Sequence, residues 1–423
     1  MIDNKSPLTV YKNRQRGFLW LIQLILCSCI VIWLINPVSE NIYLLLIFTI
    51  AWVVVTTLMY GSFYIRTFLN IKTLPIFIWP VVLLLYSIVD HASFSLSYIM
   101  YLFVFQIGLF YVRVEDKKTA KWITTITLVY FTIISINTLL VYQVQPKISR
   151  ILAYGDVEKI AYYGGTQYMT PFVAGYDIIY GMIFMISVLL FTQSKQRNVK
   201  RIILIMLVIL YAVLVLKAQY FIAILLAIWG VSFVYMEQTK KVESRYLIIS
   251  LLILCGIVTM LFGAPLLNYL SELPNIGYNI SVKLKDIARI LSGETEGING
   301  SVGGRAYYYG ISISNFFDHL ILGAGAIGDL YQNSGNHSTI LDSFAQYGLI
   351  GGIPYLAYYF LPLKQITNKL NRSEKKVWKV VLCLFIVLAL INRATTRVNY
   401  ALLYIVVPMI LALCVEDSPE RPR

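Results

Sequence analysis

The chain has 423 residues, 58% hydrophobic and only 13% charged, with a net charge of +14. That charged share is about half that of a soluble domain, and so little polar surface cannot cover so much apolar side chain. A soluble globular fold is excluded, and so is nucleic-acid binding as the reason for the charge, which leaves a polytopic membrane protein.

Crossing a bilayer takes about 17–25 apolar residues. Twelve predicted spans follow in chain order: 18–36, 42–60, 74–90, 94–112, 122–142, 172–192, 202–216, 220–236, 246–263, 340–362, 378–392 and 399–415. Short polar hinges such as Asn36-Pro37 and Asp90-His91 mark the turns. The first run lacks a small-x-small exit and is expected to act as an uncleaved anchor. All five cysteines, Cys27, Cys29, Cys255, Cys383 and Cys414, lie inside apolar runs and read as small buried hydrophobes.

Lys and Arg orient the spans. With the N-terminus cytoplasmic, 25 of the 35 cations fall in inside segments and ten outside. Every inside loop then carries cations, as in the clusters 195–201 and 364–379. An odd number of spans would put one of those clusters outside. The chain therefore reads as one integral membrane domain, 1–423, with both termini cytoplasmic. Two outer loops are long, 143–171 and 264–339, and the inside loops leave no room for a nucleotide-binding domain.

The large loop has a pattern of its own. Ile280, Leu284, Ile287 and Leu291 recur on one helical face, with Lys283, Lys285, Asp286 and Arg289 off it. This helix either lies on the outer leaflet, apolar side down, or packs on the rest of the loop. A glycine-rich turn is expected over Gly297–Gly304, ending at Arg305, and a second flexible stretch at Gly323, Gly325 and Gly328. Asn336-His337-Ser338 then precedes the run containing Gly348-Leu349-Ile350-Gly351-Gly352.

Three residue types bear on chemistry: histidine, arginine and lysine. His337, at the mouth of a span, either accepts a proton near neutral pH or anchors the start of a helix. His319, beside Asp318, competes for the base role, whereas His91 sits in a short turn. Arg305 can fork onto phosphate oxygens, or is a surface arginine. Lys217 lies in a short link between two apolar runs on the outer face, where it meets an anionic partner or snorkels to the interface. No H-E-x-x-H, paired cysteines, phosphate loop or G-x-S-x-G elbow occurs, so no metal or cofactor is called for.

Arg305, then Leu322-Gly323-Ala324-Gly325, His337-Ser338-Thr339-Ile340-Leu341 and Gly348-Leu349-Ile350-Gly351, together resemble the O-antigen polymerase and ligase superfamily. The motif covers about 50 residues. His319-Leu320-Ile321-Leu322-Gly323 stands where that family carries a proline, Ser338 replaces an asparagine, and Lys217 takes the place of a mid-chain arginine, though it cannot fork onto a phosphate.

The resemblance implies an all-α polytopic fold of about twelve transmembrane helices, GT-C-like, with a large helical outer loop. It implies a metal-independent glycosyltransferase that uses undecaprenyl-diphosphate-linked oligosaccharide in the membrane lipid, with a chain-length regulator as a candidate partner. Arg305 and Lys217 would hold the donor diphosphate, and His337 would deprotonate the acceptor hydroxyl. Tyr308 and its neighbours Tyr307 and Tyr309 would stack on sugars or anchor at the interface. Arg150, Lys159 and Arg289 would help bind substrate, with Arg393 and Arg397 as further candidates. A composition rich in Ile, Tyr, Asn and Lys, and the diverged motif, favour a polymerase over a ligase. A lipid-linked oligosaccharide flippase is the rival, set against largely unbroken apolar runs.

Overall fold

The computed structural model describes residues 17–36, 41–68, 73–89, 97–146, 148–149, 172–196, 198–238, 264–274, 278–292, 301–327 and 334–414. These residues form helices and turns, with no strand among them. The helices are α1 (Phe18–Ile35), α2 (Ile42–Tyr60), the short α3 (Ser62–Phe68), α4 (Ile78–Val89), α5 (Ser97–Val114) and α6 (Lys117–Val144). They continue with α7 (Tyr176–Ser194), α8 (Asn198–Ala218), α9 (Phe221–Gln238), α10 (Tyr278–Leu291), α11 (Ser301–Asp318), α12 (Thr339–Lys369) and α13 (Arg372–Ile391). Last come α14 (Arg397–Ala401), a π-helical turn over Leu402–Val406, and α15 (Val407–Leu413).

Six helices, α1, α2, α6, α7, α8 and α9, are long and apolar enough to cross a membrane. Shorter apolar helices run over Leu74–Ile88, Tyr98–Val114 and Arg397–Leu413. The predicted spans 340–362 and 378–392 fall on α12 and α13, while 246–263 lies outside the described residues. Hydroxyls inside the apolar helices bond back to carbonyls one turn earlier, as Thr127 does to Ile123 at 2.8 Å and Thr138 to Ile134 at 2.6 Å. In an apolar medium that self-satisfaction is what makes such residues tolerable.

Contacts sort the helix ends into two groups. At one end, the Trp20 indole on α1 donates to Asp116 and Thr119 at the start of α6, at 3.2 and 3.0 Å. There too Lys195, closing α7, pairs with Glu374 at the start of α13 at 2.9 Å, and Lys376 pairs with Glu237 on α9 at 2.9 Å. At the other end, Asn392 after α13 reaches Tyr180 on α7 at 3.1 Å. Arg397 lies over the Trp33 ring of α1 at 5.2 Å. Thus α1, α7 and α13 each present one terminus to each group, and the two Lys–Glu pairs lie at the end opposite Arg397.

One helix departs from the expected unbroken run. Antiparallel to α13, a straight α12 would carry Thr339 about eleven residues, roughly 16 Å, beyond the level of Ile391. Instead Thr339 donates its backbone N–H to the Asn392 carbonyl at 3.1 Å. The difference is taken up at Gly348, whose φ of 58° and ψ of −158° break α12. The amides freed there are met by a neighbouring loop: Leu349 N–H donates to Leu320 C=O at 2.9 Å and Ile350 N–H to Ile321 C=O at 3.1 Å. Gly323, at φ +74°, backs directly onto the break. A Cβ on it would meet Gly348 N at 2.4 Å, and one on Gly348 would meet Ile321 O at 2.4 Å. The Tyr86 hydroxyl of α4 binds the carbonyls of both Leu322 and Tyr347, at 2.5 and 3.0 Å.

Two expectations for the large loop change accordingly, and a third is narrowed to one of its alternatives. Ser301 to Arg305 is the first turn of α11, not the end of a glycine turn, because two glycines are not enough to stop a helix continued by Arg305 to Asp318. Gly323 and Gly325 are buried and packed rather than flexible, and Gly328 lies outside the described residues. The amphipathic helix is present as α10; Asp286 lies off the face of Leu284 and Ala288, as expected, yet is itself buried, 5% exposed, so α10 is covered on more than its apolar face. Ser281 on α10 donates to the Ser271 carbonyl at 2.6 Å, so this helix packs on the rest of its loop.

Replacing Gly348 with Ala adds a strained backbone and a steric overlap, and should lower stability by about 2–4 kcal/mol. Gly310 on α11 has open space around a Cβ. Gly310→Ala should be neutral or gain up to about 1 kcal/mol. Unfolding of the detergent-solubilised protein measures both.

Candidate functional site

The site is built from α11 outward. Arg305, partly buried on its first turn, donates Nη1 to the Ile391 carbonyl at 3.0 Å. Tyr309, one turn on, donates its hydroxyl to the same carbonyl at 2.6 Å. Ile391 is the last residue of α13, so this oxygen has no amide four residues ahead within the helix and is open to side chains. The guanidinium also lies near the hydroxyls of Tyr176, at the start of α7, and Tyr180, close enough to interact electrostatically with both. Asn392 joins the same cluster, donating to the hydroxyls of Tyr176 and Tyr180 and accepting the Arg393 N–H at 2.9 Å. Tyr220 packs its ring against both tyrosines, at 5.2 and 6.3 Å.

His337 stands beside this cluster. Its ring rests on Tyr308 at 4.6 Å, and neither ring nitrogen is hydrogen-bonded among the described residues. The residue before it, Asn336, has a φ of 56° and accepts from Arg393 at 2.9 Å. Burial lowers the imidazole below its usual range, and the charges of Arg305 and Arg393 lower it further against the opposing pull of Asp342. Neutral imidazole with unengaged nitrogens is the form that can accept a proton. Arginines on two sides supply donors for an anion close to that base.

Arg305, His337 and Tyr308 are therefore brought together. Tyr309 is not free to stack on a sugar, because its hydroxyl is turned into the protein. Lys217 is in the last turn of α8, not in a linker, and is exposed with no hydrogen bond or ion pair among the described residues. Arg289 is exposed on α10, in a cleft of about 320 Å³ lined by Asn268, Glu272, Lys285 and Ser292. Arg150 and Lys159 lie outside the described residues. His319 is fourteen residues along α11 from Arg305, about 20 Å, so the two cannot act on one group. Among the described residues no three His, Cys, Asp or Glu side chains gather to hold a metal ion.

The residues that sequence reasoning missed are Tyr176, Tyr180, Asn336, Asn392 and Asp342. The only local signal was the position of Asn336 and Asn392 beside singled-out residues. No protein-family model matches the chain, and no curated protein matches it significantly.

Asn392→Ala strips partners from two tyrosine hydroxyls and the Arg393 amide. It should cost about 1–3 kcal/mol of stability, read as a lower unfolding midpoint in detergent. Tyr309→Phe, which removes one of two donors on Ile391 C=O, should cost less, about 1 kcal/mol.

Proposed function

We propose that this chain is a polysaccharide polymerase, a membrane glycosyltransferase with about twelve spans and a GT-C-like arrangement. It moves a growing glycan from undecaprenyl diphosphate onto a lipid-linked repeat unit at the outer face of the cytoplasmic membrane. The observation that carries the reading is the meeting of Arg305, Arg393 and His337 at one end of the helices, the end opposite the Lys195–Glu374 and Lys376–Glu237 pairs. With those paired lysines on the cytoplasmic side, this site faces outward.

The chemistry asked of the site is limited. A lipid diphosphate is already a good leaving group. Arg305 and Arg393 hold its oxygens and stabilise the charge that grows as the sugar departs. His337 takes the proton of the attacking sugar hydroxyl as the new bond forms on the opposite face of the anomeric carbon, which inverts it. Tyr308, 39% exposed, lies against the His337 ring and so borders the same space. In this reading Arg393 takes the second-cation role first given to Lys217. A ligase of the same superfamily would use the same groups on a different acceptor.

A specific observation favours the rival, a flippase: broken helices are common in transporters, and α12 is broken at Gly348. Two features weigh against it. The break is closed by hydrogen bonds to the Leu320 and Ile321 carbonyls. The charged groups cluster at a helix end, not at mid-height.

Purified protein with synthetic lipid-linked repeat units should give a ladder of products; a single transfer to a lipid A core acceptor would indicate a ligase. His337→Ala should lower the rate by about 10²–10⁴, and His319→Ala should leave it unchanged. The base must be neutral, and the His337 pKa lies below the ordinary 6.5. Activity should therefore sit on its plateau above neutral pH and fall to half only at a pH below 6.5. A ladder that grows normally from the His337→Ala protein refutes the base assignment.

A further inference from the structure

Asp342 is the buried carboxylate nearest the site that the scheme above leaves without a task. It sits in the first turn of α12 and is 9% exposed. Its Oδ1 accepts the Ser312 hydroxyl at 2.6 Å, and its Oδ2 accepts the Ser338 backbone N–H at 2.9 Å. Ser312, on α11, in turn accepts the Gly335 N–H at 2.9 Å. One carboxylate thus fixes the chain on both sides of Asn336-His337, directly at Ser338 and through one hydroxyl at Gly335.

The rest of the loop is held as firmly. A Cβ on Gly335 would lie 2.2 Å from the Tyr308 carbonyl, so this backbone is pressed against α11. Ser338 caps α12 by accepting the Leu341 N–H at 3.1 Å. Every residue around His337 is tied, while its own ring nitrogens stay unengaged among the described residues. We propose that Asp342 is the positioning residue for His337, acting through the Ser338 amide and the Ser312 hydroxyl. The proposal rests on the reading of His337 as the base.

An ordinary explanation is available: an acid near a helix N-terminus stabilises the helix. That role predicts a loss of stability alone. The positioning role predicts a change at the imidazole as well. The charged groups facing His337 are Arg305 from α11, Arg393 from the turn after α13, and Asp342 from α12. Asp342 is the one among them that favours the protonated ring. Removing its charge must therefore lower the pH at which His337 titrates.

The chain has three histidines, so modification by diethyl pyrocarbonate can be followed at each by peptide mass mapping. The full chain in detergent is treated across pH, with His319 as internal reference. In Asp342→Asn the His337 midpoint should fall by about half a pH unit or more, the His319 midpoint should hold, and Asp342→Glu should restore the parent value. A His337 midpoint that stays or rises in Asp342→Asn overturns the proposal. Ser312→Ala keeps the charge and tests the tether, including the case where Asp342→Asn does not fold. Backbone hydrogen exchange in the peptide spanning Gly335–Ser338 should speed up about tenfold. Unchanged exchange overturns the relay. Neither readout needs glycosyl transfer, whereas failure of the polymerase reading would appear as a parent protein that makes no ladder.

Discussion

Lipid offers no hydrogen bonds, so a helix that breaks in a chain this apolar must have its freed amides met by protein. At Gly348 the partners are the carbonyls of Leu320 and Ile321, and they can approach because two glycines face each other at positive φ. The rest of the site end follows from that contact. The break turns the first part of α12 so that Thr339 meets Asn392. It thereby places Asn336-His337 beside the end of α13, where Arg393 and the Ile391 carbonyl are waiting. The same loop fixes the far end of α11, and with it the direction in which Arg305 and Tyr309 point. A motif that reads as glycine punctuation is, physically, the joint that sets the angle between two parts of the site.

Each member of the cluster is placed by groups far away in the chain. Arg305 is held by a carbonyl 86 residues later, and Asn392 reaches a tyrosine 212 residues earlier. This explains what the sequence could and could not disclose. The amphipathic spacing at 280–291, the apolar runs other than 246–263, and His337 just ahead of a capped helix are local signals, and each maps onto a described helix or its start. Tyr176 and Tyr180 carry no such signal. They look like two of 32 tyrosines in an apolar chain until the fold places them against a guanidinium. Glycine was misread in the same way. At Gly303-Gly304 it is simply inside a helix, whereas at Gly323 and Gly348 it is required by the close backbone approach, and a single sequence does not separate these cases.

Charge shows a similar division. Lys217 stood out as a cation in a short outer link between two apolar runs, yet it is exposed at the end of α8. Arg393 stood only among the further candidates for binding substrate, yet it touches the residue next to His337. Proximity in space, which a count of cations per loop does not contain, decides which cation can meet a ligand beside the histidine. The paired lysines at the opposite end do a different job: Lys195 and Lys376 tie α13 to α7 and α9.

The dependence of Arg305 on Ile391 also sets an order of assembly during synthesis. A ribosome delivers α11 and the His337 loop well before α13 emerges. Until residues 391–393 are made and α13 has inserted, the guanidinium lacks its carbonyl, the α7 tyrosines lack Asn392, and Asn336 lacks Arg393. A nascent chain that already carries the whole recognisable motif therefore holds no formed site, and the cluster closes as one of the last events of insertion.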